Sequence, residues 1–476
     1  RYTIDATFRR DGSTKFGSNN RWGDFPAVSL KWNMADESFM KPLRAVIDEL
    51  GIRGGWGITG NQPDREYLHF SRYNSSWGGG NNNYINIPTV KPSSIELSDL
   101  KWEKVTSYNL GIDLHLFNSK LVFDGNIYKR KTEDLLFKDL GIPSSSGFGS
   151  LSYVNIGVMD NTGWELSIYT NNLIKTRDWK VDFNVNFSNN KNKIVELSPA
   201  VLNAYNKDFN YDNGSYLTRL QEGNSFGSIY GFRYKGVYQY DKYEEGRGGT
   251  APVVKDANGN VVKDANGKPL PMYFDYFNLG NKRYQFRGGD AIYEDINHDG
   301  TIDELDIVYL GNSNPKLTGG FGTNITFKYF SISAFFNFRY GNKIVNYARM
   351  DAENMHSNNN QSIAVNWRWR KDGDVTEMPR ALYNYGYNYL GSDRFVEDGS
   401  FLRFKTLTFK YNFSPKSLRR VFLNQLSFYL TLNNLVTFTK YTGVDPEVGI
   451  ESFGLCADRS KTPRSQYFTF GVTVGF

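Results

Sequence analysis

Between Phe321 and Tyr340 the chain carries an alternation that few folds accept. Phe321, Thr323, Ile325 and Phe327 share one face of an extended segment, and Gly322, Asn324 and Thr326 share the other. A turn is expected at Lys328-Tyr329-Phe330. The returning arm sets Ile332, Ala334, Phe336, Phe338 and Tyr340 against Ser331, Ser333, Asn337 and Arg339. Successive side chains of a strand point to opposite faces, so this reads as a hairpin with one apolar and one polar side. Phe335 breaks the pattern, an aromatic on the polar face. A soluble sandwich would turn the apolar side to a core. A membrane barrel would turn it to lipid and the polar side to a water-filled lumen.

The same alternation recurs from end to end. Tyr2, Ile4, Ala6 and Phe8 oppose Thr3, Asp5 and Thr7; Val28, Leu30 and Trp32 continue it. Gly51 to Gly57 reads as a strand, as do Tyr108 to Leu116, Leu121 to Ile127, Trp164 to Ile168 and Trp179 to Phe187. Tyr230 to Tyr240, Phe401 to Tyr411, Leu426 to Leu432 and Tyr467 to Phe476 complete the set, roughly 12 to 14 strands in all. Convincing helical spacing occurs over Phe39 to Leu50 and nowhere else. Connections alternate between short ones near Asn118, Ile174, Tyr329 and Ser414 and long ones near Gly80, Lys207, Gly280, Ser357 and Asp445. Outer-membrane barrels show this asymmetry, with tight periplasmic turns and long outer loops. In the last strand Phe468, Phe470, Val472, Val474 and Phe476 share a face, and Phe468, Phe470 and Phe476 are the expected membrane-insertion signal.

Composition agrees with strands rather than helices in a membrane. Aromatics reach 16% of 476 residues, with 35 Phe and 32 Tyr, and aromatic girdles are one cause of such an excess. Mean hydropathy is −0.54, which polar loops and lumen-facing residues explain. No apolar run approaches the roughly 20 residues that a spanning helix needs. The net charge of +6 is spread along the chain, without the Lys/Arg stripe a phosphate backbone would require, so nucleic acid is not an expected partner. Cys456 stands alone, which excludes a disulfide framework and a cysteine zinc site. The chain starts at Arg1 inside an alternating run, without a leader segment; this predicts a fragment, or a mature chain cut well downstream of its real start.

Two further features bear on sites. Region 241–314 is irregular and holds a near-duplication, Lys255-Asp-Ala-Asn-Gly-Asn and Lys263-Asp-Ala-Asn-Gly-Lys, read as two Asn-Gly turns in a surface loop. Within it, segment 295–306 has calcium-loop spacing. Asp295, Asn297 and Asp299 offer side-chain oxygens, Gly300 permits the sharp turn, Thr301 offers its carbonyl and Asp306 closes the loop. Two readings stand: a structural Ca²⁺ (or Mg²⁺) site that stiffens an outer loop, or an Asx-turn loop without metal. Loop aromatics Trp77, Tyr84, Tyr383, Tyr385 and Tyr387 are candidates for stacking on substrate, against girdle or packing roles. The four histidines are far apart, and the chain has no HExxH, GxSxG or Walker pattern, so no enzymatic activity is expected.

Several segments together resemble one family. Phe8-Arg9-Arg10-Asp11-Gly12-Ser13-Thr14-Lys15-Phe16-Gly17 followed by Phe25-Pro26-Ala27-Val28-Ser29 resembles a signature of the SusC/RagA family of TonB-linked outer-membrane transporters. Gly57-Ile58-Thr59-Gly60-Asn61-Gln62, Asn155 to Glu165, Asn189 to Lys193, Asn312 to Gly320, Asp398-Gly399-Ser400-Phe401-Leu402-Arg403 and Thr439 to Glu447 match as well. The resemblance spans nearly the whole chain, in order. It implies an all-β fold, a transmembrane antiparallel β-barrel, of which residues 1–476 are the C-terminal part; such transporters have 22 strands. The plug domain, the TonB box and about eight strands would then lie outside this chain. The implied function is TonB-dependent import of glycan or peptide fragments across the outer membrane, with a SusD-like lipoprotein as lid. The residues alone leave open a passive porin or adhesin, and a secreted calcium-binding protein that binds polysaccharide.

Overall fold

The computed structural model describes residues 1–75, 90–199, 201–202, 220–275, 283–414, 418, 422–451 and 454–476. Among these, twelve long strands lie side by side in chain order, each antiparallel to the next: β1 (Tyr2–Gly12), β2 (Trp22–Asn33), β3 (Ile47–Asn61), β4 (Glu103–Leu116), β5 (Leu121–Glu133), β6 (Val158–Thr170), β7 (Trp179–Glu196), β8 (Leu317–Phe327), β9 (Phe330–Tyr340), β10 (Phe401–Asn412), β11 (Gln425–Thr439) and β12 (Tyr467–Gly475). Such a meander needs no crossover, and its connections must emerge at alternate ends. At one end they are 34–46, 117–120, 171–178, 328–329 and 413–424. At the other they are 13–21, 62–102, 134–157, 197–316, 341–400 and 440–466. The expected asymmetry is therefore real, and it sorts the loops onto one rim.

Register turns the alternation into two continuous surfaces. Across neighbouring strands Tyr2 faces Trp32, Trp32 faces Ile52 and Ile52 faces Ile112. Further along, Val185 faces Phe321, Phe321 faces Phe336, Phe336 faces Phe404 and Phe404 faces Val436. The Phe321 and Phe336 rings stack at 5.0 Å, and Phe336 and Phe404 at 4.3 Å. This outward face stays partly to fully exposed within the chain: Ile4 is 68%, Phe470 65% and Phe321 37% accessible. A surface this apolar and this open is stable only against lipid. Aromatics stand at its margins as well as along it. Tyr108 and Trp164 stand toward the long-loop end. Trp179 pairs with Phe327 at 4.6 Å beside the short turns.

The opposite face is polar. Lys31, Glu49, Arg53, Asp113 and Asp124 form an ion-pair network on β2–β5, with Arg53 at 3.1 Å from Asp113 and 2.5 Å from Asp124. On β7–β11 the same face is built of amides and hydroxyls, with Ser188 bonded to Thr318, Thr326 to Ser331 and Thr408 to Thr431. Phe335 is explained here. Its ring lies across Gly320 and Gly322, where a Cβ on Gly320 would meet it at 2.6 Å. Tyr429 covers Gly471 in the same way. The glycines leave room for rings to lie flat on the wall.

Three expectations change. The Phe39–Leu50 stretch is not an α-helix: a 3-10 segment, Ser38–Leu43, contains Pro42, and β3 begins at Ile47. Proline removes a donor from a helix interior, and the pairing of Ile47 with Leu116 draws the rest of the stretch into the sheet. Tyr230–Tyr240 is not a spanning strand. It supplies two short strands, Ser228–Gly231 and Tyr234–Val237, that pair with Val308–Asn312 and Ala291–Tyr293 above the wall. The loops near Lys207 and Gly280 therefore belong to one connection, 197–316. Last, the hairpin turn is two residues, Lys328 and Tyr329, because Phe327 pairs with Phe330.

Adjacent positions on β9 test the two faces. Ala334→Arg, on the outward side, should cost about 2–4 kcal/mol of folding free energy in a bilayer, the cost of arginine near the midplane. Ser333→Arg, on the inward side, should cost much less. Urea titration of the full-length protein folded into vesicles measures both; equal costs would contradict the assignment of faces.

Candidate functional site: the long-loop rim

The buried apolar side chains of this protein gather in the loops rather than between the strands. Tyr230, Phe232, Phe274, Tyr284, Phe286 and Tyr293 form one core with Ile302 and Leu390. Val345, Met350, Met355, Tyr389 and Phe395 form a second. Both draw on connections 197–316 and 341–400, so these loops fold together as a platform on the rim. Polar anchors fix it. Asp290 is fully buried and accepts bonds from Arg380 Nε at 2.7 Å, Tyr284 Oη at 2.7 Å and the Arg287 amide at 2.7 Å. Arg394 and Arg349 each reach Glu353 at 2.8 Å, and Arg349 also meets Glu397 at 3.2 Å.

The near-duplication folds as two matching turns. Asp256 Oδ1 accepts the amides of Asn258 and Asn260; Asp264 Oδ1 accepts those of Asn266 and Lys268. Gly259 and Gly267 take φ of +84° and +75°, which favours glycine. The Asn-Gly reading holds.

Two of the segments that resemble the transporter family meet at a lock that sequence reasoning did not identify. Arg403, with its side chain 3% exposed, donates to Asp445 at 2.5 Å, Glu447 at 2.8 Å and Thr437 at 2.8 Å. Arg464 reaches Glu447 from the outer side. Nearby, Glu397 accepts from the Thr442 amide and hydroxyl, Asn346 and Arg349. Charge and hydrogen bonds thus tie loop 440–466 to the top of β10. The only hint in the sequence was that Arg403, Asp445 and Glu447 sit inside the two motifs.

Segment 295–306 is wound on its own amides. Asp295 Oδ2 accepts from Gly300, Asn297 Oδ1 from Asp299, and Asp299 Oδ1 from Thr301. Asp306 is buried and completes the capping box of the short 3-10 helix Glu304–Asp306, whose N-cap is Asp303, by accepting the Asp303 amide; it also accepts that of Ile296. Burial pushes its carboxyl up to about 6, against the lowering effect of those amides. Among the described residues, no group of three acidic, histidine or cysteine side chains is arranged to hold a metal. Asp295 Oδ1 is buried without a hydrogen-bond partner, the one feature here that a cation would satisfy.

Of the aromatic candidates, Tyr383 and Tyr385 are exposed on the platform, Tyr383 receiving a bond from Asn358 and Tyr385 meeting Tyr284 edge-on at 5.2 Å. Tyr387 packs on Phe274 at 4.1 Å and serves the core. Trp77 and Tyr84 lie outside the described residues. Phe468, Phe470 and Phe476 are exposed together on the outward side of β12 and beyond its end.

Burial raises the carboxyls of Glu397 and Asp445, but the bonds from Thr442 to the first, and from the Glu447 and Arg464 amides and Arg403 to the second, leave both lower than usual. A lowered carboxyl stabilises the fold above its unfolded value and loses that contribution as pH falls through its folded value. Amide-exchange protection of loop 440–466, corrected for intrinsic rates, should hold from neutral pH to about 5 and fall below about pH 4. Arg403→Met should loosen the same loop at neutral pH by about 3–5 kcal/mol, the cost of stranding a buried partner. Protection that survives both changes would refute the lock.

The profile of the family described as "TonB dependent receptor-like, beta-barrel" matches residues 1–289. TonB-dependent receptor P39 of Formosa agariphila is 31% identical over 494 residues, taking in 100% of this chain and 45% of that protein. TonB-dependent receptor SusC of Bacteroides thetaiotaomicron is 27% identical over 485 residues, covering 100% of this chain and 42% of its own length. A chain of the solved RagAB peptide transporter superposes with a TM-score of 0.74 at 25% identity, covering 100% of this chain and 46% of that one. The chain spans a little under half the length of these relatives. With its lipid-facing wall, its sorted loops and these matches, it is an outer-membrane β-barrel chain that belongs to the TonB-dependent receptor-like β-barrel family.

Proposed function

We propose that the chain forms part of the barrel wall and the outer platform of an importer of the SusC/RagA kind. In this reading oligosaccharide or peptide fragments enter from the loop side. A SusD-like lipoprotein seats on the platform. A plug and further strands from the same protein complete the structure, and TonB supplies the energy through a segment outside this chain. The observation that carries the reading is a lipid-facing wall whose long loops fold into one platform, in a chain that aligns over its whole length with SusC and with the RagAB transporter. Tyr383 and Tyr385 are the proposed contacts for substrate, since exposed rings suit sugar faces and peptide side chains alike. The assigned role is passage without a catalytic step. Phe468, Phe470 and Phe476 are proposed as the signal read during membrane insertion.

We also propose that segment 295–306 takes a structural Ca²⁺, with Mg²⁺ as the alternative. Asp295, Asn297, Asp299, the Thr301 carbonyl and Asp306 are the oxygen donors, and the unpartnered Asp295 Oδ1 supports the assignment. Its role would be to stiffen the platform.

Two experiments test these readings. The full-length protein, extracted from outer membranes in mild detergent, should co-purify with a surface lipoprotein, and uptake of its substrate should stop when the proton-motive force is collapsed. Uptake that continues without that force would favour a passive porin. For the ion, Ca²⁺ should raise amide-exchange protection of segment 295–306, and Asp295→Asn should abolish the response; an unresponsive loop is an Asx-turn without metal.

A further inference from the structure

The long-loop rim holds a cleft that the transport reading leaves unused. Strand β8 pairs with β7 only as far as Ser188 and Thr318, while β7 runs on to Glu196 beside β6. The edge left open borders a cavity of about 670 Å³ whose lining includes Lys191, Lys316, Lys343, Asn189, Asn192 and Tyr309. Its lining holds no carboxylate among the described residues. Among the described residues none of the three lysines is in an ion pair; Lys343 stands opposite Asp398 across its short strand and feels that carboxylate at longer range. Asn192 Oδ1 is buried without a hydrogen-bond partner. Three ammonium groups without an ion pair among the described residues, several amides and an exposed tyrosine ring suit a sugar that carries an acidic ester.

The height of the cleft indicates where that sugar comes from. Trp164, on the outward face, stands in register with Ile127 and with Asn189 of the cleft, so the aromatic margin reaches the lower edge of the cleft. The next outward row is Tyr108, Lys129, Thr162 and Lys191, and the row above it holds Lys131, Asp160 and Lys193. Four outward lysines therefore stand just beyond the apolar band. Asp160 meets Lys129 at 3.1 Å and Glu133 meets Lys131 at 2.6 Å, which leaves Lys191 and Lys193 without an ion pair among the described residues, Lys193 standing opposite Asp160 in the ladder. Unpaired lysines at the level of the headgroups attract anionic lipid.

We propose that this cleft binds the phosphorylated sugar headgroup of a glycolipid of the outer leaflet. Lys191, Lys316 and Lys343 take the phosphate, and Asn189, Asn192 and Tyr309 take the sugar. The proposal rests on the outer-membrane setting of the barrel and not on transport or substrate. It is tested on the full-length protein in zwitterionic nanodiscs doped with a bis-phosphorylated glucosamine-disaccharide lipid, or with its dephosphorylated form. Native mass spectrometry counts the lipid retained. Wild type should retain the phosphorylated lipid and resist displacement by inorganic phosphate. Each lysine neutralised among Lys191→Gln, Lys316→Gln and Lys343→Gln should weaken retention about fivefold. Lys180→Gln, at the opposite end of β7, should not. Heat-modifiable gel mobility checks that each variant is folded. Equal retention by the lysine variants, or of the dephosphorylated lipid, would overturn the proposal. A soluble sulfated oligosaccharide that fills the cleft while the lipid does not would overturn the lipid source.

Discussion

Backbone hydrogen bonding in a medium without water constrains everything else in this molecule. In hydrocarbon each unpaired N–H or C=O costs several kcal/mol, so a chain that crosses with strands must pair them side to side. The twelve strands do this in chain order, with the tightest connections, such as 328–329 and 117–120, all at one end. Once the ladder is fixed, the period of two assigns every side chain to lipid or lumen, and a slip of one residue would exchange the faces. The row from Val185 through Phe321, Phe336 and Phe404 to Val436 is what that constraint looks like in side chains.

A wall built this way has no interior of the ordinary kind, and the protein keeps its water-excluding core elsewhere. The loops on the long rim bury Phe232, Phe274, Ile302, Val345 and Leu390 nearly completely. Their charged anchors, Asp290 with Arg380 and Glu353 with Arg394, are those of a soluble domain: buried, paired and hydrogen-bonded. Sheet and platform thus answer to different solvents. The sheet depends on lipid and on cross-strand register, and the platform depends on apolar burial and ion pairing. Arg403 joins the two, since it sits on β10 and holds Asp445 and Glu447 of the loop.

Legibility in the sequence divides along the same line. Period-two alternation is local, so β8, β9 and β12 could be read directly from residues such as Phe321, Ile325, Phe470 and Val474. The Asn-Gly turns were legible because Asp256 and Asp264 bond amides only two and four positions away. The platform was not legible. Its pairs are far apart in the chain, as with Asp290 and Arg380 or Tyr230 and Tyr309, and no local period announces them. The misread Tyr230–Tyr240 stretch shows why: its aromatics alternate as a membrane strand would, yet Tyr230, Phe232 and Tyr238 face a loop core. Phe39–Leu50 failed for another reason, since apolar spacing cannot outweigh Pro42 and the pairing demand of β3.

Phe335 carries the last step. On the sequence it looked like an error in the pattern, an aromatic where a lumen-facing polar residue belongs. In the fold its ring lies on Gly320 and Gly322 of the neighbouring strand, as Tyr429 lies on Gly471. A ring laid flat over glycine shields the ladder hydrogen bonds beneath it and adds cross-strand contact that glycine cannot provide. It also keeps the wall smooth, because the ring does not project into the lumen. The glycines of β8 and β12 and the inward rings of β9 and β11 are therefore one device read across the ladder, and neither half makes sense along its own strand.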